Sequence, residues 1–123
     1  MFTTYTDGHL LDHLLGPGSF AKPTVVYLAA FLGDPAGGGP EVTGGGYVRK
    51  LAAFSLAANV ANNSSNIQFP VATTDWGIVS WVACYDDVSA GNQLLTAPLT
   101  TPITIITGDV LLFPASTLTI TLS

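Results

Sequence analysis

Along most of the chain, short apolar runs alternate with clusters of Gly, Pro, Asn and Asp, and only the start follows a different period. In DGHLLDHLL, residues 7–15, the leucines Leu10, Leu11, Leu14 and Leu15 recur at helical spacing and form one apolar stripe. Thr6 or Asp7 can cap its start, and Gly16, Pro17 and Gly18 end it. This predicts one amphipathic helix, with Leu11 and Leu14 in the core, covering the open end of whatever follows. From Thr24 onward the runs have strand length. Candidate strands are Thr24–Leu32, Tyr47–Ser55, Asn66–Phe69, Ile78–Tyr85, Gln93–Leu99, Ile103–Ile106, Val110–Phe113 and Thr117–Leu122. In the last, Leu118, Ile120 and Leu122 alternate with Thr117, Thr119 and Thr121, which gives one core face and one polar or partner face. The fold class expected is all-β: an antiparallel β-sandwich, jelly-roll-like, with one short N-terminal α-helix, in a single domain over 1–123.

Two connections break the strand pattern. GDPAGGGPEVTGGG, residues 33–46, holds seven of the thirteen glycines and is expected to be mobile unless a neighbour orders it, which marks Gly37, Gly38, Gly39, Glu41 and Val42 as a candidate partner interface. AANVANNSSN, residues 57–66, reads as a second, polar connection.

The stretch from Phe69 to Leu95 contains both tryptophans, the only cysteine and three of the eight acidic residues. Strict alternation there sets Ile78, Ser80, Val82 and Cys84 on one face against Val79, Trp81, Ala83 and Tyr85 on the other. Asp86, Asp87, Gly91 and Asn92 supply turn chemistry, so the stretch is expected to be a structural hairpin with Trp76 and Trp81 in the core beside Leu118 and Ile120. An active site fits less well. Asp75, Asp86 and Asp87 are not spaced as a glycosidase pair or a calcium loop. His9 and His13 stand at i and i+4, but HLLDH is not HExxH and no third ligand is evident. Cys84 lies among apolar neighbours without a nearby cation. Neither a GxSxG elbow nor a GxxxxGK loop occurs. No catalytic residue, metal or cofactor is expected.

Composition changes the picture in one respect. Only 9% of residues are charged, against roughly 25% in ordinary soluble domains, while 48% are apolar. A free monomer keeps itself soluble with surface charge, so part of this surface is expected to be covered by other subunits. Three basic residues, Lys22, Arg49 and Lys50, within a net charge of −5 cannot form a nucleic-acid footprint. The sequence has no apolar run of the ~18 residues a membrane helix needs, and its N-terminus lacks the basic cluster of a secretory signal, so synthesis and retention in the host cytoplasm are expected.

Six segments in order, LLDHLLG, TVVYLAAFLGDP, EVTGGGYVR, FPVATTDWGIVSW, D-x-x-S-x-G-N-x-L and GDVLLFPASTLTITL, resemble a family of small virion structural proteins of tailed bacteriophages, described as tail-fibre-like or capsid-decoration proteins. The resemblance spans nearly the whole chain. It departs in two turns: that family often has S-G-G-N where Ser89, Ala90, Gly91 and Asn92 stand, and A-G-x-L where Ala115, Ser116, Thr117 and Leu118 stand. The resemblance implies a β-sandwich acting as a virion building block without catalysis. In its first form this is a capsid cement protein, a homotrimer binding itself and the major capsid protein on the outer shell. The alternative is a tail-associated fibre or receptor- and glycan-binding module, with other head or tail proteins as partners and with Trp76, Trp81 or Tyr85 stacking on sugar rings.

Overall fold

The structure, a computed structural model, describes residues 2–121. A helix, α1 (Thr4–Leu15), precedes the strands β1 (Tyr27–Phe31), β2 (Lys50–Leu51), β3 (Phe54–Ala57), β4 (Val60–Asn63), β5 (Ile67–Gln68), β6 (Gly77–Tyr85), β7 (Gln93–Ile105), β8 (Leu112–Phe113) and β9 (Thr119–Thr121). They form a four-stranded sheet β2-β1-β6-β7, a three-stranded sheet β3-β4-β9 and a two-stranded sheet β5-β8. Every pairing is antiparallel. The expected last strand is present over Thr119–Thr121, and Leu122 lies outside the described residues.

One face of the large sheet, through Leu28, Val79, Val82 and Cys84, meets Ile67, Phe69, Phe113 and Leu118 from the segments opposite to make the main core. This is the sandwich arrangement that alternating strands require. Burial reaches both sides of the central strands: Ala29, Phe31 and Ala83 pack on the outer face with Trp81 and Tyr85. Ala29 and Ala83 are register partners, and their small side chains leave room for the rings of Phe31 and Tyr85 to stack at 6.5 Å.

Strict alternation fails in β6. Ile78 is exposed and Val79 buried in the same core as Val82 and Cys84, because the pairing with β7 shifts register between Val79 and Trp81. Such an irregularity rephases the side chains by one position. β7 runs unbroken where two strands are expected. It lies at the edge of its sheet, where Pro98 and Pro102 cost no ladder hydrogen bond.

The expected strand Tyr47–Ser55 is two. Between Leu51 and Phe54 the chain leaves the large sheet for the three-stranded one, with the Ala52 amide bonded to Val26 O at 2.8 Å. The polar connection 57–66 contains β4, the middle strand of that sheet. Asn63 is fully buried there: its amide donates to Pro114 O at 2.9 Å and its Oδ1 accepts the Leu118 amide at 2.9 Å. A buried amide that satisfies several backbone groups staples two loops, although the residue type reads as a turn signal.

The helix is also repositioned. Thr3 caps it, accepting the Thr6 amide at 3.3 Å, and the first turn is pinned to β7: the Thr6 hydroxyl donates to Leu94 O at 2.6 Å and the Thr3 hydroxyl to Gln93 O at 2.6 Å. Thr6 is the buried residue of α1, whereas Leu11 is 59% and Leu14 73% exposed. Neither leucine belongs to the core, because the strands fill the sandwich by themselves. The helix is held by its polar first turn and carries its stripe outward.

Candidate functional site

Each candidate catalytic carboxylate is committed to a turn. Asp75 Oδ1 accepts from the Thr107 amide at 2.8 Å and hydroxyl at 3.0 Å, tying the start of β6 to the end of β7. Asp86 closes the β6–β7 loop through the Asn92 amide at 2.7 Å and side chain at 2.9 Å, and the Asn92 backbone bond holds its carboxyl below the usual range. Asp87 contributes its carbonyl, which accepts Arg49 Nη1 at 3.2 Å. On α1, the His9 ring lies between Tyr5 at 4.5 Å and Phe20 at 5.1 Å, while His13 Nδ1 accepts the Phe20 amide at 3.1 Å. The two histidines thus brace the segment after the helix. Burial pushes the Cys84 thiol up to about 12, so it is a neutral thiol packed in the core.

The most organised polar cluster involves residues with no catalytic signature in sequence. Arg49 is buried and grips Glu41 with two parallel bonds, Nε to Oε2 at 2.8 Å and Nη2 to Oε1 at 2.9 Å. Its Nη1 donates to Ala90 O at 2.7 Å, and the guanidinium lies 3.6 Å over the Tyr85 ring. Tyr47 completes the cluster, donating to Glu41 Oε2 at 2.6 Å and accepting the Ala30 amide at 3.0 Å. Burial would raise the Glu41 carboxyl, yet the bonds from Arg49 and Tyr47 outweigh it and hold it below the usual carboxylate range. Burial, reinforced by Glu41, raises the Tyr47 hydroxyl far above its ordinary value. This bidentate, stacked arginine locks the 33–46 loop to the β6–β7 loop.

That lock corrects the expected partner interface. Val42 is buried in the core and Glu41 is saturated from within, so neither offers its side chain to a neighbour. The loop is ordered by its own chain: the Gly39 and Ala36 amides bond to Asp34, the Leu32 amide to Pro40 O and the Val42 amide to Ala30 O. Gly39 passes so close to Gly33 that a Cβ would lie 2.2 Å from a backbone carbon, which explains one of the glycines sterically. Gly37 and Gly38 remain at the surface.

Of the expected core residues, Trp76 and Leu118 are buried, and the Trp76 indole donates to Gly45 O at 2.9 Å. Trp81 and Ile120 are only half-buried. The three rings offered as a sugar platform are not one. Trp76 is inside, Trp81 packs on the outer cluster, and Tyr85 is covered on its faces by Phe31 and Arg49.

What the fold leaves open is apolar. The ridge of Leu11, Leu14 and Leu15 stands free on α1, the last being 84% exposed. Across the molecule, an apolar cleft of about 280 Å³ opens between the sheets, lined by Phe54, Leu56, Val60, Leu94, Leu95 and Ile120. Segments 51–74 and 110–121, which hold both smaller sheets, contain no charged residue. The sequence shows that gap, but not that it becomes one layer of a sandwich. These surfaces can bind another apolar surface, and that is the work of a building block.

No curated protein matches the chain. A family model does, over residues 1–121, described as podophage GP4 fiber I protein gp80. With nearly every residue inside that match, the chain belongs to this family and is a tailed-phage virion structural protein.

Proposed function

We propose that the chain is a non-enzymatic assembly subunit of the virion's tail-fibre region, held to a neighbouring protein by the leucine ridge of α1. The observation that carries this is the ridge itself: three leucines on a helix fixed to the body by its first turn and otherwise in solvent. Covering them would remove enough apolar surface to contribute several kcal/mol, at about 1.5–3 per fully buried leucine. The family's description as a fibre protein supports the tail position. The committed carboxylates, the neutral buried thiol and the bracing histidines support a role without catalysis, metal or cofactor.

A second reading is the capsid cement protein, seated on the major capsid protein at the outer shell and self-associated as a homotrimer. The favouring observation is the small, charge-poor sandwich without a long repetitive or coiled-coil shaft. An electron-microscopy map of the particle separates the two. Density for this chain at the tail supports the first reading, and density repeated over the icosahedral shell replaces it with the second. Particles assembled with Leu14→Asp should lose the subunit from either place, and normal incorporation would remove the ridge from the argument.

A further inference from the structure

A sheet edge exposes unpaired backbone groups, and proteins blunt such edges with proline, charge or shortness. In the large sheet both edges are treated this way: β7 carries Pro98 and Pro102, and β2 is two residues long with Lys50. In the three-stranded sheet the β3 edge is not. Its sequence, Phe-Ser-Leu-Ala, has no proline and no charge, and Leu56 stands 76% exposed at the mouth of the apolar cleft. We propose that the open edge of β3 binds a second copy of this chain, edge strand against edge strand.

Charge distribution selects the second copy as occupant. Each chain carries −5, so most approaches of two copies bring acid to acid. Helix-to-helix contact would set Asp7 and Asp12 against their counterparts, and contact through the β6–β7 loop would do the same with Asp86 and Asp87. No charge lies within 51–74 or 110–121, so at β3 two copies meet without that repulsion. Hydrogen bonding along the edge would supply direction, and burial of Leu56 the apolar contribution. This leaves the ridge of α1, flanked by carboxylates, to a different protein. The inference does not depend on where in the virion the subunit sits.

The test uses the whole chain. Sedimentation equilibrium at tens of micromolar should show self-association of the wild type. Leu56→Asp and Leu56→Lys should each weaken it by about tenfold or more, the scale of one buried leucine, while circular dichroism shows the folded chain. Using both signs separates the edge from net charge: association lost with Asp but retained with Lys would overturn the proposal. So would a wild type that stays monomeric, or loss of association in Leu14→Asp instead. Virion position is measured separately by microscopy, so failure here leaves the assembly role standing.

Discussion

Replacing Arg49 by methionine keeps most of the buried stem and removes the charge and its four hydrogen bonds. Removing one partner of a buried ion pair costs about 3–5 kcal/mol, because the other charge is left uncompensated. Here the carboxylate keeps a path to water, with 23% exposure of the Glu41 side chain against 8% for Arg49, so the lower end applies. The carbonyls of Asp87 and Ala90 can also turn to solvent at their exposed loop. The stacking on Tyr85 adds about 0.5–1 kcal/mol. About 3 kcal/mol remains, which for a chain of this size lowers the thermal midpoint by roughly 10 °C. The pH dependence is the sharper readout. Glu41's folded pKa lies below its ordinary value of 4.5, so the pair's contribution is present at neutral pH and lost as pH falls through that depressed value. In Arg49→Met the burial of Glu41 is no longer outweighed, its pKa rises, and acid relieves rather than harms the folded state at this site. The gap in midpoint between wild type and variant should therefore be widest near neutrality and narrow below about pH 4. Differential scanning calorimetry across that range measures both. A midpoint shift under about 2 °C at neutral pH, or a gap that does not change with pH, would refute the view that this cluster locks the two loops.

Trp76→Ala should cost about 3–5 kcal/mol, seen as a large drop in urea midpoint, while Trp81→Ala, at a half-buried site, should cost clearly less. Ala90 and Ser116 hold φ of 51° and 67°, the two turn positions where the resembling family often has glycine. Ala90→Gly and Ser116→Gly should each stabilise by about 0.5 kcal/mol, the relief of left-handed strain less the entropy of glycine, and thermal melts of the double variant should show the sum. Leu11→Asp should leave the melting midpoint within about 0.5 kcal/mol of wild type, since the residue lies on the solvent side of α1; a collapse in stability would return the helix to the core.

Local chemistry determined the class of the fold. Short strands punctuated by Gly, Pro, Asn and Asp read correctly as antiparallel β structure, because turn residues act through their own backbone. The helix was visible from four leucines, but not the direction of its stripe, since periodicity defines an apolar face without naming what covers it. Only the tertiary structure decided that two threonine hydroxyls hold it and that the leucines stay outside. β4 was hidden because Asn63 carries a turn residue's label while its amide staples loops from distant parts of the chain. The bulge in β6 depends on its partner strand, so alternation along one strand could not reveal it. Low charge gave notice of shared surfaces, yet their location required the fold. The uncharged segments 51–74 and 110–121 lie far apart in sequence, and they become one layer only through the pairing of β4 with β9 and of β5 with β8. Glu41 and Arg49, eight residues apart, likewise gained their role from a burial that sequence separation does not encode.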